Sequence, residues 1–481
     1  METVSTALKA RWIYLRGLGF CFLATFLSLA FQARGLIGTR GLFPVAESLA
    51  GSSILKTPTL FWLGASEAAV LAVVWAGVAG AVLVLFNRAN RVGLFICWLC
   101  FLSFVSVAPR VSWYKADSLL LEAAFLGIFL APAGRRPGLG EKDPPTRIAL
   151  AAHLWLLFRL SLETGLSKAF SPDVAWRDLS AMAYFHDNMP FPTWVGWLMG
   201  RMPYVFQKVE TAYTLLAELL VPFLLLSGRR PRLVGILLWS VLQAGILVSG
   251  NFLSFSYQSI GLGLLFVGYP VFTRSAGAKR EGRQALILVP QMAVGLLLLW
   301  SFPFFPDLPL PGPAVRALDA LAPFRSANAY LLYPFIERER RVVILEGSND
   351  GGATWREYGY QWQPQRLNGV PRFLSPLSDR FEREMQHLLE RPGRVPYAEN
   401  DFILRVSRRL IEGEGPVGGL FAVNPFSGSV PERVRASVYR YLATDFGTLL
   451  TTGHWWTRAR TGAYCPDIAR NPGDGRIDYV R

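Results

Sequence analysis

Cysteine and histidine are scarce in this sequence. Its 481 residues include only four of each. Cys21, Cys97 and Cys100 lie within hydrophobic runs, and only Cys465 falls in a polar region. Four cysteines are too few for a disulfide framework, and the histidines lack the close spacing of zinc ligands. We therefore expect neither a disulfide scaffold nor a metal site.

Motifs of soluble enzymes are also missing. The stretch GLGLLFVG is apolar and does not suit a phosphate loop, and GSNDGG lacks the spaced acidic ligands of a calcium loop. Cys97 and Cys100 have the spacing of a redox pair. They stand in a hydrophobic segment with no thioredoxin-like strand pattern around it, which favours a packing role. No cofactor is expected.

Acidic residues are outnumbered, with 34 Asp and Glu against 49 Lys and Arg and a formal net charge of +15. Such an excess can indicate nucleic-acid binding. Here, however, the basic residues cluster in short loops between apolar runs, which is typical of the cytoplasmic loops of a membrane protein. The predicted partner is therefore a lipid bilayer, and no nucleic acid is expected.

Hydrophobic residues, in contrast, are abundant. They make up 52% of the chain, which contains 33 Phe and 15 Trp. A membrane core of about 30 Å needs about 20 apolar residues per helix. Runs of this kind predict nine spans, at 12–32, 60–86, 92–108, 118–132, 147–168, 209–227, 232–250, 252–272 and 284–303. The fourth is short, which indicates a tilted or re-entrant segment.

The last third of the chain lacks such runs. We predict an α-helical multi-pass membrane bundle of about nine spans, followed by a small α+β, β-rich extracytoplasmic domain. The predicted domains are 1–305 (polytopic transmembrane domain), 306–335 (proline-rich linker and short helix) and 336–481 (C-terminal soluble domain). The short helix is placed near Ala314–Leu332.

Periodicity within the soluble part predicts a fold built on one β-hairpin. Two strands flank the turn at 349–352, where Asn, Asp and two glycines stand together. Glu399–Ile411 has the period of an amphipathic helix, and VRASVYRYLAT alternates like a strand.

Loop charges predict the orientation of the chain. One set of alternating loops is dense in Lys and Arg and includes Arg88, Arg91 and the cluster at 229–232. The other set is longer and sparser in basic residues. The denser set should face the cytoplasm. With nine spans, the N-terminus is then cytoplasmic and the C-terminal domain is extracytoplasmic.

Ionisable residues lie inside or beside the predicted spans, where a charge costs about 2.5–3.5 kcal/mol on insertion scales. They are Glu67, Glu122, His153, Arg159, Glu163, Lys168, Glu210 and Glu218. Arg159 and Glu163 are four residues apart and can pair, and Glu210 and Glu218 share a helical face. Buried salt bridges that fix helix register explain the set, and so does a site for a substrate or partner. Both interpretations stay open here.

Lys168 stands at the end of its predicted helix, before a long loop (169–208) rich in aromatic residues and prolines. We expect this loop to fold over the membrane mouth. Snorkelling to the interface is the favoured explanation of such a lysine. A lysine held beside acids can instead act as a base or anchor an ion pair.

Several long stretches carry a family resemblance. They are FLSLAFQARGLIGTRGLFP, DSLLLEAAFLGIFLAP, FRLSLETGLSKAFSPDVAWRDLSAMAYFH, MPFPTWVGW, VETAYTLLAELLVPFLL, LVSGNFLSF, LEGSNDGGATWREYGYQWQP, NPFSGSVPERVRASVYRY and GHWWTRARTGAY. In them the chain resembles the lipase maturation factor family. The resemblance implies a multi-pass protein that helps homodimeric lipases fold and leave the endoplasmic reticulum, with a luminal C-terminal domain. In a bacterium, the membrane would be the cytoplasmic one.

The membrane part is also distantly similar to the vitamin K-dependent gamma-carboxylase. The similarity is confined to Gly165, Lys168 and Trp176. In the carboxylase, the corresponding lysine acts as the active-site base, so this second resemblance implies that Lys168 is a base.

Two hypotheses follow. The favoured one is a membrane-anchored maturation factor without catalysis, which assists the folding or export of secreted lipases or similar clients through exposed aromatic residues such as Trp355, Trp362, Trp455 and Trp456. The client-binding candidates are Trp176, His186, Trp355, Asn424, Arg435, Tyr439, Trp455 and Trp456. The alternative is an intramembrane carboxylase-like enzyme that uses Lys168 as base. It predicts a deep pocket on which Lys168, Glu163, Arg159 and Glu122 converge.

Overall fold

A computed structural model describes residues 2–268, 278–301, 309–389, 401–413 and 415–480. The part before residue 302 is helical, and the part after residue 339 is built around a β-sheet. The predicted boundary between 305 and 306 lies outside the described residues. The fold class is therefore as predicted: a helical membrane bundle followed by a β-rich domain.

The helical part has long helices joined by short ones. They are α1 (Glu2–Ile37), α2 (Val45–Leu49), α3 (Glu67–Leu85), α4 (Asn90–Val107), α5 (Lys115–Leu130), α6 (Arg147–Ala169), α7 (Val174–Arg177), α8 (Ala181–Asn188), α9 (Trp194–Met199), α10 (Tyr204–Leu226), α11 (Arg229–Ser249), α12 (Phe255–Leu264) and α13 (Ala278–Trp300).

Among the described residues, six helices are long and apolar enough to cross a membrane: α1, α3, α4, α10, α11 and α13. The predicted count of nine spans is not confirmed. Helix α5 has 16 residues and α12 only ten, so they reach about 24 and 15 Å. Helix α6 has 23 residues but carries Arg159, Glu163 and Lys168. Most residues of α5 and α6 are buried, so protein rather than lipid surrounds their charges.

Polar contacts define two ends of the bundle. At one, the basic end, Arg11 donates to the carbonyls of Leu139 and Asp143 (2.8 and 2.9 Å), and Arg91 pairs with Asp143 at 2.8 Å. Near the other, the domain end, Ser48 donates to the Val107 carbonyl at 2.8 Å. The start of α1 therefore lies at the basic end, and α1 and α4 both finish at the domain end.

Small residues bring the first helices close together. A Cβ atom at Gly80 would lie 2.9 Å from the Gly93 carbonyl oxygen, so α3 and α4 touch along their backbones. Such contacts let membrane helices pack tightly without large side chains. Cys97 and Cys100 are buried in the same region, with Cys97 Sγ 3.7 Å from the Gly77 oxygen. This placement agrees with the predicted packing role.

Among the described residues after α13 there are six strands, which form one sheet, and the remaining helices. They are α14 (Gly312–Leu321), β1 (Arg340–Ser348), β2 (Arg356–Glu357), α15 (Arg380–His387), α16 (Asp401–Glu412), β3 (Arg433–Ala443), α17 (Phe446–Thr452), β4 (Trp456–Ala463), β5 (Ile468–Arg470) and β6 (Ile477–Tyr479). The sheet order is β2-β1-β3-β5-β6, and β4 also pairs with β3.

The predicted hairpin and the predicted strand at VRASVYRYLAT are both present. Strands β1 and β2 pair antiparallel around the turn, in which Gly351 and Gly352 adopt φ of 68° and 101°. A core built on that single hairpin is wrong, however. The central strand is β3, which pairs with β1 from Arg340↔Tyr441 to Ser348↔Arg433 and also with β4 and β5. Because β3 pairs with a strand that is distant in the sequence, β1, no local sequence pattern predicts this pairing.

Two helix predictions differ in extent from the structure. The amphipathic helix predicted at Glu399–Ile411 is α16, Asp401–Glu412, and residues 399–400 lie outside the described part of the chain. The segment predicted as helical near Ala314–Leu332 is helical only to Phe324, because Arg325 adopts a φ of 53°. After it, residues 326–332 run without helix into the bundle.

Candidate functional site

A cavity of about 610 Å³ lies where the bundle meets the sheet domain. Its walls come from the ends of α6 and α11, the middle of α10, α15, and the segments 113–116, 176–199, 252–255 and 331–336. This is the size of a pocket for a small ligand. The polar groups that line it include Lys168, His186, Glu210, Glu218 and Arg383.

Lys168 reaches this cavity from the last turn of α6 and is only 4% exposed. Its Nζ donates to both carboxylate oxygens of Glu218 on α10, at 2.9 and 2.7 Å, and to the Thr164 carbonyl at 3.2 Å. The predicted snorkelling is therefore wrong, since Glu218 holds the ammonium inside the protein. Lys168 instead forms the ion-pair anchor that was the competing interpretation.

The loop before α10 closes one side of the cavity, as predicted for a loop folded over the mouth of the bundle. Trp176 is 1% exposed and donates from Nε1 to the Tyr333 carbonyl at 3.1 Å. His186, also 1% exposed, lies 2.8 Å through Nε2 from Glu210. Glu210 and Glu218 both line the cavity, so the face that they share on α10 is the one directed into it.

Arg159, Glu122 and Glu163 form a second, fully buried cluster. Arg159 pairs with Glu122 of α5, and it lies 3.3 Å from Glu163, as the four-residue spacing predicted. The chain at 326–332 completes the cluster. Tyr330 donates from its hydroxyl to Glu122 at 2.8 Å and from its backbone to Glu163 at 2.6 Å, and the backbone N–H of Asn328 donates to Glu122 at 2.8 Å.

The convergence that the enzyme hypothesis requires is not observed. Lys168 lines the cavity, whereas Glu122, Arg159 and Glu163 do not. Within the described residues, no hydrogen bond or ion pair joins Lys168 to any of these three. The buried cluster can hold helices and the 326–332 segment in place, but its three charged side chains do not meet Lys168.

Two other ionisable residues of the predicted set lie apart. His153 is fully buried, and its Nδ1 is 2.7 Å from the carbonyl of Ala149 in the same helix. Glu67 pairs with Arg34 at 2.9 Å where both side chains are about half exposed, so it is not a buried charge. Neither lines the cavity.

The client-binding candidates separate into buried and accessible groups. Trp176, His186 and Trp456 are each 1% exposed, so they cannot meet a protein client in this conformation. The predicted exposure of Trp456 is wrong because the guanidinium of Arg340 covers its ring at 5.0 Å. Trp355, Trp362 and Trp455 are partly buried rather than fully exposed.

The accessible candidates lie mainly on one side of the sheet. Arg435 stacks on Trp355 at 4.2 Å and pairs with Glu346 at 2.7 Å. Burial alone would raise the pKa of Glu346, but hydrogen bonds from Arg435 and Ser437 lower it below its ordinary value. Tyr439 is covered by the guanidinium of Arg458 at 4.8 Å. We call Trp355, Glu346, Arg435, Tyr439 and Arg458 the sheet face.

The remaining two candidates lie off the sheet face. Asn424 is in a loop, where its Oδ1 accepts a hydrogen bond from the N–H of Phe426 at 2.9 Å. Trp455 packs edge-on against Trp197 of α9 at 4.9 Å between ring centres. Its position is therefore at the junction with the bundle.

A third set of charges was not predicted at all. Arg380 of α15 pairs with Asp117 of α5 through two hydrogen bonds, of 2.7 and 2.9 Å. Glu384 pairs with Arg110 at 2.8 Å. An uncharged contact lies at the same junction: the side-chain oxygen of Asn251 accepts hydrogen bonds from the backbone N–H groups of Leu374 and Ser375 at 2.6 and 3.0 Å. The only sequence signal was the dense charge of SPLSDRFEREMQ, which shows neither its burial nor its partners.

Comparison with known families agrees with this two-part architecture. The profile described as the lipase maturation factor transmembrane domain matches residues 9–272, which is more than half of the chain. The profile of the lipase maturation factor C-terminal domain matches residues 326–466. The chain belongs to the lipase maturation factor family.

Similarity to members of the lipase maturation factor family extends along nearly the whole chain. It is 30% identical to lipase maturation factor 1 of Mus musculus over 508 residues, covering 95% of this chain and 87% of the relative. Lipase maturation factor 1 of Homo sapiens is also 30% identical, with 95% and 88% covered. Lipase maturation factor 2 of Rattus norvegicus is 24% identical over 600 residues, with 97% and 84% covered. No solved structure matches the chain.

For this family member, the comparisons support the maturation-factor hypothesis and give no support to the carboxylase-like alternative. The membrane-spanning helices and the family together show a multi-pass membrane protein.

Proposed function

We propose that this chain is a membrane-anchored maturation factor that assists the folding or export of secreted lipases or similar clients, without a chemical step of its own. The names of its relatives in mouse, human and rat support a lipase as client. One structural observation carries the proposal furthest. The candidate base, Lys168, is held by Glu218 in a buried ion pair.

The ion pair disfavours general-base chemistry at Lys168. A base must offer a free lone pair to a substrate proton, whereas Nζ of Lys168 already donates to both carboxylate oxygens of Glu218. The neighbouring charges of the alternative are paired in the other cluster. Their contribution in this proposal is structural: they hold α5, α6 and the 326–332 segment in register.

The orientation is part of the proposal. The basic end of the bundle contains Arg88, Arg91 and the clusters at 135–147 and 229–232, which suits the cytoplasmic side. The sheet domain contacts the opposite end and would be extracytoplasmic. That compartment would be the endoplasmic reticulum lumen in a eukaryote and the space outside the cytoplasmic membrane in a bacterium. An exported client passes through either.

The sheet face is the surface that we assign to the client. It combines two aromatic rings, Trp355 and Tyr439, with Arg435 and Arg458 stacked on them. Aromatic and arginine side chains contribute most of the binding energy at protein interfaces. Arg435 pairs with Glu346, and Arg458 pairs with Glu357. These ion pairs hold the two guanidinium groups in place before a client binds.

The proposal is tested by co-expressing the full chain with a secreted lipase and measuring the lipase activity that leaves the cell. The double variant Lys168→Met with Glu218→Leu removes the candidate base together with its partner, so no buried charge is left unpaired. We expect secretion to stay within about twofold of the wild type. Trp355→Ala with Arg435→Ala should reduce secretion by about tenfold, a loss of about 1.4 kcal/mol of client binding.

Trp194→Ala is the matched control, because Trp194 is a 46% exposed tryptophan away from the sheet face. Immunoblots of the membrane fraction confirm equal amounts of each variant. Loss of secretion in the Lys168 and Glu218 double variant at normal protein level would overturn the proposal of a non-catalytic factor. Unchanged secretion in the Trp355 and Arg435 variant would remove the sheet face as the client surface.

A further inference from the structure

The cavity at the junction has one wall with unused hydrogen-bonding capacity. Arg383 of α15 is 3% exposed and lines the cavity. Its Nη2 donates to the Asn251 carbonyl at 2.7 Å, while its Nε has no hydrogen-bond partner among the described residues. The guanidinium stacks on Phe191 at 4.6 Å and on Tyr114 at 5.5 Å. Tyr114 also lines the cavity, and its buried hydroxyl has no hydrogen-bond partner in the part of the chain that the structure describes.

Among the described residues, Arg383 has no carboxylate as an ion-pair partner. The neighbouring carboxylates are already engaged, Asp117 by Arg380 and Glu384 by Arg110. Among the described residues, no carboxylate lies within 4 Å of Arg383 or of Lys115, a second cation that lines the cavity. Lys115 donates instead to the Ala329 carbonyl at 2.9 Å. Burial lowers the pKa of Arg383, which is the effect expected of a desolvated guanidinium without a counterion.

The other walls differ in character. Two acids line them, but each is paired, Glu218 with Lys168 and Glu210 with His186. The rest of the lining is largely apolar and includes Met182, Phe185, Leu242, Ile246, Phe252 and Leu253. The cavity therefore offers one cationic end and an apolar body.

Helix α11 lines the apolar part of the cavity. The cavity runs along it from Ser249 to Val241, which is about 12 Å of helix. Val241 lines the cavity and is also 52% exposed, and Leu237, one turn further, is 62% exposed. Since α11 is long and apolar enough to cross a membrane, we expect this side of the cavity to adjoin lipid.

From these observations we propose that the cavity binds an acyl chain with an anionic head, the head on Arg383 beside Tyr114 and the chain along α11 toward the bilayer. An anion in the cavity would supply a counterion for the guanidinium of Arg383. The chain would replace water against the apolar lining. Two sources share this chemistry, a free fatty acid and an anionic phospholipid that inserts one chain. The site is separate from the sheet face and does not depend on the identity of a client.

Gly245 allows the cavity to be filled without disturbing the fold. It lines the cavity, and a Cβ built on it meets no atom within 4 Å. Gly245→Leu places a side chain in the space for the acyl chain and also improves helix propensity. Gly17→Leu is the matched control, since Gly17 is a helical glycine with equally open space that does not line the cavity. For the head, Arg383→Gln is compared with Arg366→Gln, an exposed arginine outside the cavity.

The experiment is native mass spectrometry of the full chain in neutral detergent, titrated with oleate, with oleyl alcohol, and with dioleoylphosphatidylglycerol. We expect one oleate per chain and about tenfold weaker binding of the uncharged alcohol. Gly245→Leu should abolish binding of both, while Gly17→Leu binds as the wild type does. Arg383→Gln should remove the preference for oleate over the alcohol, whereas Arg366→Gln keeps it.

The phospholipid distinguishes the two sources. Displacement of bound oleate by equimolar phosphatidylglycerol supports the proposal with a membrane phospholipid as ligand, and failure to displace it supports a fatty acid. Oleate binding that survives Gly245→Leu overturns the proposal, because the ligand then lies elsewhere. Equal affinity of the wild type for oleate and oleyl alcohol overturns it as well, since the charge of Arg383 would then have no effect. Gly245→Leu keeps the test decisive even if Arg383→Gln fails to fold.

Discussion

Arg380 and Asp117 join the two halves of this protein. The arginine lies in the sheet domain and the aspartate at the start of α5, and two hydrogen bonds of 2.7 and 2.9 Å connect them while both side chains are almost completely buried. The rings of Phe101 and Phe104 cover the guanidinium at 5.6 and 5.2 Å. Water is thus excluded from a charge pair that spans the junction between bundle and sheet domain.

Breaking this pair should loosen the junction. Arg380→Met leaves Asp117 buried without its partner, and we expect the free energy of unfolding to fall by about 3–5 kcal/mol. Arg380→Met with Asp117→Leu should recover most of that loss. Thermal unfolding in detergent measures both. Arg405→Ala, which removes an exposed pair with Glu47, is the control and should cost at most about 1 kcal/mol. If Arg380→Met is no less stable than Arg405→Ala, the pair of Arg380 and Asp117 does not stabilise the fold.

The pair of Lys168 and Glu218 should behave in the same way. Lys168→Met alone strands a buried carboxylate and is expected to cost about 3–5 kcal/mol. Glu218→Leu added to it removes that charge and should restore the unfolding temperature. Lys168→Arg keeps a cation, so its unfolding temperature should lie between that of Lys168→Met and that of the double variant. If the double variant is as unstable as Lys168→Met, the loss comes from packing rather than from the unpaired charge.

The contact of Gly35 with Leu420 is a steric test of how the sheet domain sits on α1. A Cβ at Gly35 would lie 2.8 Å from Cγ and Cδ2 of Leu420. Gly35→Leu should therefore overpack the contact and cost about 1–3 kcal/mol. Leu420→Ala in the same chain should relieve the clash. Protease sensitivity of the sheet domain reports its detachment, and an unchanged digestion pattern in Gly35→Leu would show that the domain does not rest on this glycine.

Glu346 should make the stability of the sheet domain depend on acid. Its pKa is lower in the folded chain than its ordinary value of 4.5, so the folded state binds fewer protons at that pH. The stabilisation is full above about pH 4.5 and is lost as the pH falls through the folded pKa. Glu346→Gln should cost about 1.5–3 kcal/mol at pH 7, and this cost should be smaller at pH 3, because the wild type itself loses the stabilisation as Glu346 is protonated.

The measurement for Glu346 is urea unfolding of the full chain between pH 7 and pH 3. Glu339→Gln is the control, because Glu339 forms an exposed, longer pair of 3.6 Å with Arg440. That variant should follow the wild-type curve. If the free energies of unfolding of Glu346→Gln and the wild type differ by the same amount at pH 3 and pH 7, then Glu346 does not make the stability depend on pH.

The fold was predictable where the signal is local. Apolar runs placed a helix in every segment that we predicted to span the membrane, and the glycines at 351 and 352 marked the turn between β1 and β2. The spacing of Arg159 and Glu163 predicted their contact. These features depend on residues within a few positions of one another.

The span count was not predictable in the same way. A run such as α12 is apolar because protein buries it, and a ten-residue buried helix has the same composition as part of a membrane span. Helix α6 is the opposite case, since its charges are tolerated only because Glu122, Glu218 and the 326–332 segment enclose them. Hydropathy records the residues of a helix but not what surrounds them.

By itself the sequence determined the class of this protein: a multi-pass membrane bundle, a β-rich C-terminal domain and membership of the lipase maturation factor family. Composition and ordered motifs suffice for that. Only the tertiary structure decided the partner of each charge, with Lys168 held by Glu218, Arg380 by Asp117, and Arg383 left facing a cavity. The physical reason is that burial makes pairing obligatory, while the choice of partner depends on which distant segments the fold brings within hydrogen-bond distance.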